Sequence, residues 1–137
     1  CMLSVVKPKF VELFGVTPKI RKGSSNQIHC RIYSKDIFLF LSEDIGFPIG
    51  RKKNKLRVPS FIFKNKELSK AYIRGLFDTD GSIFRHHRFS AKIEITSHSQ
   101  KFRKDIIRLL IRLGFKPIEI NTHIRVGANQ KLIVSFQ

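Results

Sequence analysis

Apolar and polar positions alternate with helical or strand periods along much of this chain, and residues 65–82 show the clearest helical pattern. Asn65 can cap the helix, Glu67 lies in its first turn, and apolar or small residues recur every three or four positions after it. We therefore predict a helix that ends at Gly81, with this glycine in the left-handed conformation.

One side of the predicted helix carries small side chains at its centre. Ala71, Gly75 and Thr79 follow one another at intervals of four residues, so a second helix could approach closely along this line. A glycine in mid-helix costs about 1 kcal/mol relative to alanine, and close packing would account for it. We expect a helix–helix interface formed by these three residues and Leu76.

The last turn of this helix carries two carboxylates. Asp78 and Asp80 lie at the C-terminal end, where the helix dipole disfavours negative charge. Acids at such a position suggest that they bind a cation. A core helix that simply ends in an Asp-rich turn explains the spacing equally well.

Shorter patterns predict further helices and strands. Two more helices, each ended by a glycine, are predicted at 8–14 and 35–45, and a third, apolar on one side and basic on the other, at 99–113. Strands are predicted at 19–22, 27–33, 82–89, 90–96, 117–120, 123–126 and 131–136. The first two form a β-hairpin. Mixed elements of this kind predict an α+β protein with antiparallel strands.

The strand at 90–96 is half-buried in this prediction. Ile93 and Ile95 alternate with Lys92, Glu94 and Thr96, so one face is apolar and the other polar. A polar strand face is suited to contact base edges in the major groove of DNA.

The net charge of the chain indicates which class of partner it binds. The 137 residues include 27 Lys and Arg against 10 acids, a formal charge of +17, and 42% hydrophobic residues suffice for a core. Nucleic acid is the expected partner. A membrane surface would favour one basic amphipathic helix, whereas the bases here are spread over strands and loops.

The cysteines and histidines of the chain argue against a disulfide-stabilised protein and against a zinc site. Two cysteines do not form a disulfide framework, and no apolar run resembles a signal peptide or a membrane span, so we expect an intracellular protein, cytoplasmic or organellar. The pair His86 and His87 has no further ligands at the spacing of a zinc site, which favours contact with phosphate or bases.

Residues 73–81, IRGLFDTDG, resemble the nine-residue signature of the LAGLIDADG homing endonucleases. The matching positions are Gly75, Leu76, Asp78, Asp80 and Gly81, and the departures are Ile73, Arg74, Phe77 and Thr79. The resemblance implies that two such helices, from two subunits or two repeats, pack side by side. It also implies that Asp80 holds Mg2+ against the scissile phosphates as a catalytic residue, with Thr79 beside it at the metal.

The segment 48–59, PIGRKKNKLRVP, is a basic loop before the signature helix. A solvated loop or a phosphate-binding patch would have the same composition. The resemblance implies one lysine near the active site that polarises water or stabilises the phosphorane. In this resemblance, the spacing from Pro48 favours Lys53 as the catalytic lysine, with Lys52 as the second choice.

A short internal sequence repeat indicates two related units. The sequence LGFKP at 113–117 resembles FGVTP at 14–18, and both follow a helix and precede a hairpin. We expect about one and a half αββαββα units: residues 1–67 as the C-terminal part of one unit, with hairpin, helix and basic loop, and residues 68–137 as the signature helix and first part of a second. The chain is then a fragment of a two-repeat protein or assembles as a homodimer, which we favour.

The leading functional prediction is a site-specific double-strand DNA endonuclease of LAGLIDADG type, alone or as the endonuclease core of an intein, with Mg2+ as cofactor. The resemblance implies antiparallel sheets that form a saddle over DNA, backed by helices. Predicted DNA contacts are Arg31, Lys52, Arg85, His87, Lys92, Glu94, Thr96, Asn121 and Arg125. The alternatives are a non-cleaving DNA- or RNA-binding protein of this fold, such as a regulator or an intron-splicing maturase, and a basic structural nucleic-acid protein.

Overall fold

The computed structural model describes residues 2–24, 27–50, 55–87 and 90–127, without the side chains of residues 2, 3, 86, 87 and 90. The chain divides into two compact units, Cys1–Phe47 and Pro48–Gln137. Lys52, Lys53 and the strand predicted at 131–136 lie outside the described residues. The repeat boundary at 67/68 rests on internal sequence similarity and stays a prediction.

The first unit consists of short helices and one hairpin. Its elements are a π-helical turn Met2–Val6, α1 (Lys7–Phe14), β1 (Lys19–Lys22), β2 (Ile28–Arg31), α2 (Lys35–Leu39) and a second π-helical turn Phe40–Asp44. Gly15 ends α1 in the left-handed region at φ 64°, and its N–H donates to the carbonyl of Val11. The Ser34 side chain caps α2 by accepting from the N–H of Ile37.

The second unit packs helices on a four-stranded antiparallel sheet. Its elements are α3 (Ser60–Lys64), α4 (Lys66–Asp80), β3 (Gly81–His87), β4 (Ser90–Thr96), α5 (Gln100–Arg112), β5 (Ile118–Ile120) and β6 (His123–Gly127). The strand order is β3-β4-β6-β5. The predicted α+β class, with antiparallel sheets backed by helices, is confirmed.

The core of this unit forms between α5 and one face of the sheet. Ile106 and Leu109 of α5 are fully buried, and Ile95 of β4 and Ile124 of β6 meet them from the sheet. The other members of this cluster are Val58, Ile62, Phe102, Leu110 and Val126. Ser99 caps α5, as its position before the apolar stripe predicts. Burial of this stripe fixes α5 on the sheet.

The conformation of Gly81 differs from the prediction. This residue is extended, with φ −92° and ψ 154°, and not left-handed. A Cβ atom at this position would lie 2.4 Å from the carbonyl oxygen of Phe77. The chain needs glycine here because α4 passes directly into β3 with no intervening turn, which brings the two segments into close approach.

A buried carboxylate ties the downstream end of the basic loop to α5. Asp105 is 2% exposed and accepts hydrogen bonds from Arg57 Nε at 2.6 Å, Arg57 Nη2 at 3.0 Å and the Val58 N–H at 3.2 Å. The hydrogen bond and charge of Asp105 raise the pKa of Arg57. A carboxylate in the core requires such partners, and here they come from 47 and 48 residues away in sequence.

The two tyrosines lie in opposite electrostatic settings. Burial, with a further contribution from the negative charge of Asp105, raises the pKa of Tyr72 to about 12. The hydrogen bond with Arg31 is the main cause that lowers the pKa of the exposed Tyr33. Desolvation opposes it, and the nearby charges of Arg31, Arg21 and Lys19 each make a smaller contribution that lowers the pKa.

Replacement of Asp105 by alanine should lower the free energy of unfolding by roughly 2–3 kcal/mol, because it leaves the Val58 N–H buried without its acceptor and removes the pair with Arg57. Denaturant unfolding followed by circular dichroism measures this. The matched control is Glu12→Ala, which removes an exposed pair with Lys9 and should change stability by no more than about 0.5 kcal/mol. Equal losses in the two variants would contradict the anchoring role.

Alkaline titration should resolve two tyrosinate transitions, the earlier from Tyr33 and the later, near pH 12, from Tyr72. Below pH 10 both the folded and the unfolded chain hold the Tyr72 proton. As pH rises from about 10 to 12 the unfolded chain ionises first, so folding stability falls in this window. Tyrosinate absorbance of the Tyr33→Phe and Tyr72→Phe variants assigns each transition to its residue. If the earlier transition is still present in Tyr33→Phe, the assignment is refuted.

Candidate active site and nucleic-acid interface

The end of α4 presents acidic side chains to solvent. Asp78, Thr79 and Asp80 are all exposed. The Thr79 hydroxyl lies 3.0 Å from the carbonyl oxygen of Leu76, 3.3 Å from that of Gly75 and 3.3 Å from Asp80 Oδ2. Thr79 is thus turned back along the helix, while the Asp80 carboxylate lies in the open at its end.

The α4 helix has one face that packs against the core and another that is exposed. Tyr72, Ile73, Leu76 and Phe77 are partly buried against the core, and Ser69, 1% exposed, donates to the carbonyl oxygen of Ile62 at 2.7 Å. This face contains most of the large apolar residues of the helix, although Leu68 is exposed. Leu76, predicted for a helix–helix interface, belongs to it.

The other face of α4 is the small-residue stripe formed by Ala71, Gly75 and Thr79. All three are exposed, and an added Cβ at Gly75 would meet nothing within 4 Å. Because an α-helix turns by about 100° per residue, the stripe lies roughly 120° around the axis from the core face. The structure therefore leaves the stripe free for a second helix, and the interface itself stays a prediction.

The oxygen atoms at the end of α4 are of the kind that Mg2+ prefers. Within the described ranges, no three His, Cys, Asp or Glu side chains come together in a group that could hold a metal ion. Asp78 and Asp80 are the carboxylates available at this helix end.

The face of the sheet opposite the core, called here the open face, combines polar side chains of β4 and β6 with the apolar Phe84, Ile118 and Ile120. Lys92, Glu94 and Thr96 lie on it in β4, because they alternate with the core residue Ile95. The register places Arg125 of β6 opposite Glu94 and His123 opposite Thr96. Cross-strand pairing thus brings together three residues that the sequence predicts as DNA contacts, and adds His123.

Four side chains on this open face form a connected network. Glu94 accepts from Arg125 Nε at 2.5 Å, and its other oxygen lies 3.0 Å from His123 Nδ1. Thr96 Oγ1 is also 3.0 Å from His123 Nδ1. His123 is not among the predicted DNA contacts, although its alternation with Ile124 and Val126 places it on this face.

The remaining predicted DNA contacts are spread over other places. Arg31 is exposed in β2 of the first unit, and Asn121 is exposed in the β5–β6 turn with φ 52°. Arg85 is exposed in β3. Its neighbour Phe84 lies on the same side of the sheet as Glu94, so Arg85 points to the other side. The side chain of His87, like Lys52 and Lys53, lies outside the described structure.

Comparison with known families settles the affiliation of the second unit. A sequence model of the LAGLIDADG-like domain matches residues 67–135, half of the chain. The chain belongs to this family. The matched region begins in the first turn of α4 and includes Asp80, the small-residue stripe and the whole four-stranded sheet. LAGLIDADG domains are typically associated with nucleases, generally use a divalent metal, bind DNA and often dimerise.

Similar segments occur within much longer proteins. The chain is 38% identical over 87 residues to ribonucleoside-diphosphate reductase NrdEB subunit alpha of Bacillus subtilis, covering 58% of the chain and 8% of the relative. It is 36% identical over 107 residues to a glutamine–fructose-6-phosphate aminotransferase of Methanocaldococcus jannaschii, covering 77% and 9%. It is 31% identical over 109 residues to the probable translation initiation factor IF-2 of Thermococcus kodakarensis, covering 77% of the chain and 9% of that relative. The chain spans less than a tenth of each relative.

Among the described helices none combines the length and apolar character needed to cross a membrane.

Two glycines at the site should respond in opposite ways to alanine. Gly75→Ala should raise the free energy of unfolding by about 0.5–1 kcal/mol, because the methyl group meets open space and the glycine weakens the helix. Gly81→Ala should lower it by about 1–3 kcal/mol, because the added Cβ collides with the backbone of Phe77. Denaturant unfolding at several protein concentrations measures both. A destabilised Gly75→Ala at high dilution would show that the stripe is packed within one chain.

Proposed function

We propose that this chain acts as a site-specific double-strand DNA endonuclease that hydrolyses phosphodiester bonds with Mg2+. The observation that carries the proposal is the exposed carboxylate of Asp80 at the end of α4, beside the unoccupied small-residue stripe. Two such helices packed along their stripes would place two Asp80 carboxylates side by side. Each could then serve one strand of a duplex.

A second signature helix completes the site in this proposal. It comes from another copy of the chain in a homodimer or from a second LAGLIDADG unit. The open space at Gly75 supports such packing, because the backbone of the partner helix could approach there without a clash. The core face of α4 is already occupied, so the small-residue stripe is the face left for it.

In this proposal, some side chains of the unit bind the DNA and others take part in the chemical step. The charge of +17 attracts the phosphates, and the open face of the sheet lies against the bases. Asp80 would hold the metal ion, with Thr79 beside it. Mg2+ bound there would supply a more acidic water and stabilise the leaving oxygen. Lys53, with Lys52 as the alternative, stays the predicted second catalytic residue.

The relatives support an independent activity for this domain. Their names describe a reductase subunit, an aminotransferase and a translation factor, which have no activity in common, yet each contains a segment similar to this chain. A segment shared by proteins with such different names is expected to bring its own function. We infer an inserted endonuclease domain, such as the core of an intein.

Asp80→Asn should reduce DNA cleavage at least roughly a hundredfold, because it removes a charged metal ligand worth several kcal/mol of transition-state stabilisation. DNA binding should persist or tighten, since a negative charge beside phosphate is lost. Cleavage of a plasmid library with random inserts, in Mg2+ and in EDTA, measures the first effect, and electrophoretic mobility shift measures the second.

Asp78→Asn is the matched control, because it makes the same charge change in the same helical turn. We expect it to retain most of the cleavage. An Asp80→Asn protein that still cuts would refute the assignment. A wild-type protein that binds DNA but cuts nothing in Mg2+ would support the non-cleaving alternative.

A further inference from the structure

Arg125 is held at two points on the open face of the sheet. Its Nε donates to Glu94 Oε2 at 2.5 Å, and the guanidinium carbon lies 5.7 Å from the centre of the Phe84 ring. A charge-assisted hydrogen bond and a cation–π contact together restrain both the position and the plane of the group. An arginine restrained in this way loses little conformational freedom when it binds a further partner.

Glu94 is itself fixed by the protein. Its side chain is 12% exposed, and its two oxygens face Arg125 Nε and His123 Nδ1. Because the Glu94 side chain is bonded to Arg125 and is only 12% exposed, it is poorly accessible to a cytosine amino group, the contact expected of a glutamate that reads bases. Its geometry instead suits the orientation of Arg125.

The hydrogen bond to Glu94 uses Nε and leaves the two terminal nitrogens of Arg125 outside it. The Arg125 side chain is 31% exposed. Two terminal N–H groups in a fixed plane match the O6 and N7 acceptors of guanine in the major groove. We propose that Arg125 determines specificity by reading one guanine, and that Glu94 is its positioning residue.

This inference rests on the proposed DNA-binding function and specifies which base one side chain recognises. Lys92 provides the contrast on the same strand face. No acidic side chain among the described residues lies within ion-pair distance of it, and its flexible stem and point charge suit a phosphate rather than a base edge. Lys92 therefore contributes affinity without base preference.

The test is selection of binding sites from a pool of randomised duplex DNA, using the full chain in EDTA so that cleavage plays no part. The wild-type pool should contain a position where guanine is favoured by about 5- to 150-fold, the discrimination expected of a bidentate contact. Arg125→Gln should shift that position towards adenine, whose N6 and N7 match a glutamine amide. Arg125→Lys should lower the preference while keeping the charge.

Glu94→Gln should reduce the guanine preference at the same position several-fold and leave other positions unchanged. A purely structural role would instead alter all positions together, and thermal unfolding of each variant checks that it is folded. Lys92→Gln should weaken binding to all sequences alike. Identical base preferences for wild type and Arg125→Gln would overturn the inference and make Arg125 a phosphate contact.

The two proposals can fail separately. A protein that selects guanine through Arg125 but cuts no DNA refutes the endonuclease proposal and supports the specificity role. A protein that cuts DNA without a position dependent on Arg125 refutes the specificity role alone.

Discussion

The second unit depends on how α4 packs one of its faces against the core. Tyr72 and Phe77 pack against the core, which fixes the rotation of the helix about its axis. That rotation leaves the small-residue stripe in solvent. The close junction at Gly81 then joins the helix end to β3, so Asp80 is held in a fixed relation to the first strand of the sheet. One helix therefore links the acidic site to the surface that would bind DNA.

Among the described residues, three carboxylates of this unit pair with arginines: Asp105, Glu94 and Glu119, the last of which accepts from Arg103 Nε at 2.7 Å. Asp105 is buried beneath the basic loop and fixes Arg57 and the backbone of Val58, while Glu94 holds Arg125 on the open face. A partly desolvated carboxylate is costly unless donors surround it, so each acid imposes a particular arrangement on its neighbours. The chain has only 10 acids, and these carboxylates restrain the arginines that they bind.

The excess of positive charge has two distinct physical uses. Unrestrained side chains such as Lys92 can neutralise phosphates anywhere on a duplex, which supplies affinity that depends on salt but carries no sequence information. A restrained group such as Arg125 presents its donors in one plane, which suits recognition of a particular base. Net charge alone does not separate these uses, because the separation depends on which arginines have carboxylate partners.

The sequence by itself determined the features that depend on local interactions. The caps at Asn65 and Ser99 and the acids at the end of α4 follow from contacts within a few residues. The tertiary structure decided the rest. It packed Leu76 against the core, required an extended Gly81 against Phe77, and joined Glu94 to Arg125 across a strand register. That register pairs residues 31 positions apart, and helical or strand periodicity carries no information about pairing over such a distance.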